Sequence, residues 1–343
     1  MKLLWGTLMQ SEFSGYGRVG VTMATSMKKY VDDAELVGRF EMEWDWRIVV
    51  AVPYNWIVGC HYAPDLIWHT MVECRPLAPG LKEMYRLARY VWVPSQFVKE
   101  VAVEGGVPEH SILVSGYGVD TKQCPWIDRK DPGLFPHGRP FRYFVWTDGL
   151  PTRKGAVQAM KAFDKLDLPD CEMVVKTSQE AMQYKVSNPN IRFIQGNLGW
   201  WELAQLMGQC DVMVYPSQGE GFGLMPLEAM STGMCVIAPQ SSGMAEFVRP
   251  EYNLVIPVIG TERVATSSAS YQTDQFGDKL DQDAIIGHME WAYNNRDAAY
   301  EIGKHASRYV RRRWTWALAA HRAADLLRPL GNWRDGHSGA GGL

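Results

Sequence analysis

The stretch that decides the fold is Ser217-Gln218-Gly219-Glu220-Gly221-Phe222-Gly223-Leu224-Met225-Pro226-Leu227-Glu228-Ala229-Met230. The apolar run Asp211-Val212-Met213-Val214-Tyr215 precedes it and Met234-Cys235-Val236-Ile237-Ala238 follows it, so the whole reads as strand, loop, helix and strand. Gly221 and Gly223 permit a tight path that leaves backbone amides bare. Pro226, with its fixed φ and missing donor, suits the first turn of a helix. That places Met225 at the cap, where it cannot complete a capping box, and Glu228 in the first turn, where the macrodipole also favours a carboxylate. Bare amides at a helix N-terminus attract an anion. Glu220 lies in the loop itself, at the carboxyl end of a parallel-type strand, where open α/β sheets bind their ligands. Two carboxylates beside an anion site suit a ligand with both phosphates and hydroxyls, such as a sugar nucleotide.

Glu220 and Glu228, within Glu-Gly-Phe-Gly-Leu-Met-Pro-Leu-Glu-Ala-Met, resemble the Glu-seven-residues-Glu motif of retaining glycosyltransferases of family 4, with Gly233 and Glu246 also in register. The resemblance implies an α/β protein of the GT-B fold: two Rossmann-like domains face an interdomain cleft, and a C-terminal helix crosses back to the first domain. The expected division is an acceptor-binding domain over residues 1–125, a linker over 126–140 and a nucleotide-sugar-binding domain over 141–313. The returning helix is expected over 314–330 and a disordered glycine-rich tail over 331–343. The linker is also legible by itself, because residues 121–140 hold four prolines and few periodic apolar residues.

Bulk properties narrow the classes. A chain of 343 residues is long enough for two cores, and a net charge of −3 gives no global nucleic-acid footprint. Six cysteines without a Cys-x-x-Cys pair argue against a zinc site and a disulfide framework, and point to a reducing cytoplasm. No run of about 18 apolar residues suggests a membrane span, and the N-terminal apolar run is too short for a signal peptide.

In the first half, residues 3–8 read as a strand and 19–30 as a helix. Between them Gly15, Gly17 and Gly20 satisfy the dinucleotide fingerprint, with Glu41 or Glu43 as a ribose acceptor. This supports an alternative function as an NAD(P)-dependent oxidoreductase, although residues 9–14 separate the glycines from the strand end where the fingerprint needs them. The family resemblance instead makes Gly15-Tyr16-Gly17-Arg18 a cleft loop on the acceptor side. Apolar runs at 47–52 and 56–60 are compatible with buried strands. Trp68-His69-Thr70-Met71-Val72-Glu73 resembles an acidic segment of some family members, which makes His69 and Glu73 candidates to face the acceptor, His61 being a weaker one. His69 has the chemistry to take a proton from an acceptor hydroxyl, and a hydrogen-bonded structural histidine is an equal reading.

In the second half, Pro151-Thr152-Arg153-Lys154-Gly155 brings basic residues to a helix entry at a sheet's carboxyl edge, where they can neutralise a diphosphate. The family's Lys-Gly pair contacts the donor diphosphate, which assigns that role to Lys154; the usual preceding arginine is missing at Thr147-Asp148, and Arg153 is its candidate substitute. Donor contacts are expected from Arg153, Lys154, the Gly221, Phe222, Gly223 and Leu224 loop, and Glu228 on the ribose, with Glu220 on the sugar. Glu246 reads as structural, Asp281 as a helix cap rather than a metal ligand, and Arg311-Arg312-Arg313 as a solvated helix face. The expected activity is transfer of a sugar from a nucleoside-diphosphate sugar with retained configuration, with no cofactor and no metal. The acceptor is open among glycan, lipid, protein, small molecule and modified nucleic acid. A non-catalytic nucleotide-sugar-binding protein of the same fold is a third reading.

Overall fold

The computed structural model describes residues 2–6, 15–31, 33–37, 48–51, 66–147, 152–178, 187–264 and 274–331. Its frame is two parallel sheets of six strands. The first is built from β1 (Lys2–Gly6), β2 (Asp33–Val37), β3 (Ile48–Ala51), β4 (Leu66–His69), β5 (Tyr90–Val93) and β6 (Ile112–Val114), in the order β2-β1-β3-β4-β5-β6. Its described helices are α1 (Gly15–Met27), α2 (Pro79–Arg86) and α3 (Gln96–Glu104). The second sheet holds β7 (Phe141–Thr147), β8 (Cys171–Thr177), β9 (Ile191–Gln195), β10 (Val212–Val214), β11 (Cys235–Pro239) and β12 (Leu254–Ile256), in the order β12-β11-β10-β7-β8-β9. Here the helices are α4 (Ala156–Asp164), α5 (Trp200–Met207) and α6 (Leu224–Ser231). A two-stranded antiparallel hairpin, β13 (Val258–Val264) and β14 (Gln275–Leu280), follows, then α7 (Gln282–Asn294), α8 (Arg296–Arg313) and α9 (Trp316–Gly331).

Strands covered on both faces need apolar residues at every position, which is why β10 and β11 are buried throughout. Alternation then sorts the side chains: Phe144 and Val174 join one core, while Tyr143, Val145, Met173 and Val175 join the core on the opposite face. A third core fills one side of the first sheet, around Trp68, Val91, Val93 and Val101.

The last helix returns to the first sheet, as the GT-B arrangement requires. Ala319, Ala320, Ala323, Ala324 and Leu327 of α9 are buried in one cluster with Val19, Met23, Ala24 and Met27 of α1. The i, i+3, i+4 spacing gives α9 one apolar stripe, and alanines let the two helices approach closely. Thr315, one residue before α9, makes a parallel bridge to Val119.

Several sequence-based boundaries move. α1 starts at Gly15, so Gly15, Tyr16, Gly17 and Arg18 form its first turn instead of a loop, and it ends at Met27 instead of residue 30. α9 takes in Gly331, the first residue of the expected tail; residues 332–343 lie outside the described residues, as do Glu41, Glu43, His61 and the run at 56–60. Asp281 caps α7 as expected, accepting from the amides of Asp283 at 3.0 Å and Ala284 at 3.1 Å. Among the described residues no helix is long and apolar enough to cross a membrane.

Leu327 is 1% exposed in the α1–α9 seam. Leu327→Ala is expected to cost about 2–5 kcal/mol, the usual range for emptying such a site, read as a lower midpoint in denaturant unfolding at unchanged slope.

Candidate functional site

The site forms at the carboxyl ends of β7 and β10. β10 delivers Tyr215-Pro216-Ser217, and the chain then turns through Gln218–Gly223 into α6. Gly223 is the cap of α6 with φ of 96°, a left-handed conformation that favours glycine. The helix therefore starts at Leu224, two residues before the sequence-based start. Pro226 is its third residue, still among positions whose amides need no helical acceptor. Glu228 consequently falls beyond the first turn and is fully buried. A macrodipole role at the helix entry does not fit that position.

The loop packs as closely as backbone allows against the segment that follows β4. A Cβ on Gly219 would stand 2.0 Å from the Glu73 carbonyl oxygen, so only glycine is accommodated. Among the described residues, the amides of Gly221, Phe222 and Gly223 donate to no protein acceptor. That leaves the loop able to receive an anion. The Phe222 ring points the other way, into a cluster with Tyr117, Phe247 and Trp314, and anchors the loop from beneath.

Glu220 is the focus. Its Oε1 accepts from Lys154 Nζ at 2.6 Å, Ser217 Oγ at 2.8 Å and Tyr215 Oη at 2.9 Å, and Arg153 Nη1 lies 3.6 Å away. Burial pushes the Glu220 carboxyl up, but Lys154, Arg153 and the hydrogen bonds outweigh it and hold it below its ordinary value. Arg153 bridges further, donating to the Gly219 carbonyl at 2.5 Å and reaching the Glu73 carboxylate at 4.0 Å. Burial lowers the Arg153 pKa and the Glu220 and Glu73 carboxylates raise it more, so it stays charged. The result is a corner with two cations and two carboxylates.

This arrangement brings Glu73, Arg153, Lys154 and Glu220 together and separates other expected site residues from them. Arg153, expected to meet a diphosphate in place of the missing family arginine, is turned into the protein with its side chain 8% exposed. Its partners are the carboxylates and the loop carbonyl, which makes it an internal strut. His69 lies at the end of β4, 1% exposed, sharing a 3.0 Å hydrogen bond with Tyr117 and an edge-on contact with Trp92. Burial lowers its pKa to about 3. A base that must become imidazolium is opposed by that burial, so the structural-histidine alternative fits its position better than the acceptor-facing base. Gly15, Tyr16, Gly17 and Arg18 lie in a helix whose first side chains are outside the description.

Three residues in the site are legible only after the fact. Tyr215 and Ser217 read as the end of a buried strand and an ordinary turn, yet both hydroxyls serve Glu220. Ser95, in the Pro94-Ser95-Gln96-Phe97 turn, caps α3 by accepting from Val98 N and also donates to the Gly221 carbonyl at 2.7 Å. Beside it, Glu246 accepts from Gln96 N at 2.7 Å, a structural role across the two sheets.

The low His69 pKa has a signed consequence. An unfolded imidazole protonates near 6.5 and the folded one resists until about 3, so its share of stability is complete above pH 6.5 and lost as pH falls toward 3. Wild type is expected to lose up to about 1.4 kcal/mol per pH unit from this group in that window. A His69→Gln variant should show a shallower slope in denaturant unfolding at pH 7, 5.5 and 4.5.

Comparisons with known proteins agree with this geometry. The family model described as glycosyl transferases group 1 matches residues 136–304. Among curated proteins, the chain is 24% identical to sulfoquinovosyl transferase SQD2 of Arabidopsis thaliana over 191 residues, 54% of this chain and 37% of that protein. It is 38% identical over 58 residues to an uncharacterized glycosyltransferase of Methanocaldococcus jannaschii, 17% of this chain and 16% of that one. The matches thus span well under two thirds of either relative's length. A solved glycosyltransferase of Rickettsia africae superposes with a TM-score of 0.72 at 14% identity, covering 96% of this chain and 98% of that one. HepE of Anabaena, solved with UDP and glucose, superposes with a TM-score of 0.70 at 15% identity, covering 96% and 99%. These likenesses establish the GT-B fold, and the match over residues 136–304 supports a group 1 glycosyltransferase.

Proposed function

We propose that the chain transfers a sugar from a nucleoside-diphosphate sugar to an acceptor hydroxyl, with retained anomeric configuration and without a metal or other cofactor. The observation that carries the reading is the buried Lys154–Glu220 pair, at 2.6 Å, beside a loop with three unclaimed amides. The ammonium and the carboxylate occupy each other. An arriving diphosphate competes for Lys154 and for the amides, and Glu220 is then released to accept from the hydroxyls of the donor sugar. Stabilising the leaving diphosphate is the main electrostatic task, and preorganised donors in a dry site perform it best. Burial lowers the Lys154 pKa, and a diphosphate restores the balance in favour of its charged form. Tyr215 and Ser217 keep Glu220 oriented during the exchange.

The ligands of HepE, UDP and glucose, make UDP-glucose the first donor to try. The chain's cytoplasmic location, its hexosyl specificity and the domain limits at 125 and 140 belong to the same proposal. The oxidoreductase reading rests on Gly15, Gly17 and Gly20, which form one helical turn and its continuation in α1, and the group 1 match over residues 136–304 gives it no support.

Incubation with a panel of sugar nucleotides should give nucleoside-diphosphate release. Lys154→Ala is expected to lower kcat/KM by about 100-fold or more, the scale of removing one preorganised charge-stabilising group. UDP should raise Tm and NAD(P) should not; stabilisation by NAD(P) alone would sink the proposal. Unchanged release in Glu220→Gln would remove that residue from the assignment, and binding without release from any donor would favour a non-catalytic protein.

A further inference from the structure

The β13–β14 hairpin leaves the second sheet after β12 and reaches the segment that follows β4 of the first sheet. Arg75 and Phe276 form an antiparallel backbone bridge, with Arg75 N to Phe276 O at 3.0 Å and Phe276 N to Arg75 O at 2.7 Å. Gln275 Nε2 donates to the Pro76 carbonyl at 3.1 Å. The same strand grips the donor loop: Asp278 N donates to the Gln218 carbonyl at 2.7 Å, and Gln218 Nε2 donates to Glu262 of β13. Gly277 makes the approach feasible, since a Cβ there would stand 2.5 Å from the Gln218 carbonyl oxygen.

Three backbones therefore meet in a closed junction. The segment 73–76 touches the loop at Gly219 and the hairpin at Phe276, and the hairpin touches the loop at Gln218. Two of the anchor points flank the candidate carboxylates symmetrically: Gln218 precedes Glu220 by two residues, and Arg75 follows Glu73 by two. Arg75 is itself tied to α3 by ion pairs with Glu100 at 3.0 Å and with Glu104, so the hairpin holds a fixed part of the first sheet.

We propose that this hairpin is a positioning element of the transfer site: Gln218, Gln275 and Gly277 set the placement of Glu73 against Arg153 and Glu220. The proposal rests on the donor-site reading above and extends it to an element outside that site. Two backbone hydrogen bonds to Arg75 and one to Gln218 hold both carboxylate-bearing segments on one strand. Loss of the junction lets the Glu73 segment and the donor loop drift apart. Transition-state stabilisation suffers then, because a displacement of about 1 Å is enough to matter there. Ground-state affinity for the nucleotide, carried by Lys154 and the loop amides, suffers much less.

The test uses the full chain in wild-type form and as Gly277→Val and Gln275→Ala. The first forces the hairpin off Gln218, and the second removes the side-chain bond to Pro76 while leaving the hairpin backbone in place, which guards against a misfolded first variant. Two readouts are taken: UDP release from UDP-glucose at steady state, and hydrogen–deuterium exchange of peptides covering residues 71–77 and 217–221, with and without UDP. The expected result is exchange about 10-fold faster in both peptides, kcat lowered about 10-fold and KM for UDP-glucose within about two-fold of wild type. A merely stabilising hairpin would lower Tm without splitting kcat from KM. Wild-type exchange in both peptides, or kcat and KM moving together, would overturn the proposal. If wild-type protein releases nucleoside diphosphate from no sugar nucleotide of the panel, the donor reading fails, and with it the positioning role, while the exchange contrast separately reports whether the junction exists.

Discussion

Two cations and two carboxylates share one largely water-free corner, and the rest of the site depends on their mutual compensation. Removing an ion from water costs several kcal/mol unless a partner and hydrogen bonds replace the lost hydration. Lys154, Arg153, Glu220 and Glu73 meet that condition only together, with Tyr215 and Ser217 completing the shell of Glu220. This explains why the loop must be glycine-rich on its inner side. Arg153 reaches the Gly219 carbonyl only because Gly219 lies against the Glu73 backbone with no side chain between them.

The same corner spans both sheets, since Glu73 follows the first and the other three belong to the second. Neighbouring contacts repeat that pattern with little redundancy. A single Ser95 hydroxyl caps α3 and holds the Gly221 carbonyl, and the Glu246 carboxylate meets the amide end of the same helix, where the macrodipole favours it. Beside the aromatic contact of Phe222 with Tyr117, the contact between the halves around this corner is built from charges, caps and backbone pairs. Such polar contacts exchange readily for ligand contacts, which an apolar seam does not.

The loop between β10 and α6 was legible in the sequence because its determinants are local. Glycine spacing, a proline near a helix start and two carboxylates eight positions apart all fall within one turn and one helix, and the structure moves only the helix entry, from Met225 to Gly223. Lys154 was legible from its place after β7. The segment after β4 was not, because burial there is set by partners far along the chain. His69 is enclosed by Tyr117 and Trp92, and nothing next to it in sequence announces this. Arg153 resembled a surface cation until Glu73, 80 residues earlier, supplied its second carboxylate. The hairpin left no motif at all: its polar, alternating strands resemble a loop, and its register is fixed by Arg75 and Gln218, distant residues on two other segments.

The seam between α1 and α9 has a consequence for how the chain is made. Val19, Met23 and Met27 emerge from the ribosome about 300 residues before the stripe that covers them, Ala319 to Leu327. At about 5–20 residues per second, the interval is tens of seconds. Throughout that time the first sheet carries a naked apolar helix face beside its open strands, a surface suited to transient chaperone binding. The first half cannot complete its core as it leaves the ribosome, and its final burial waits for α9.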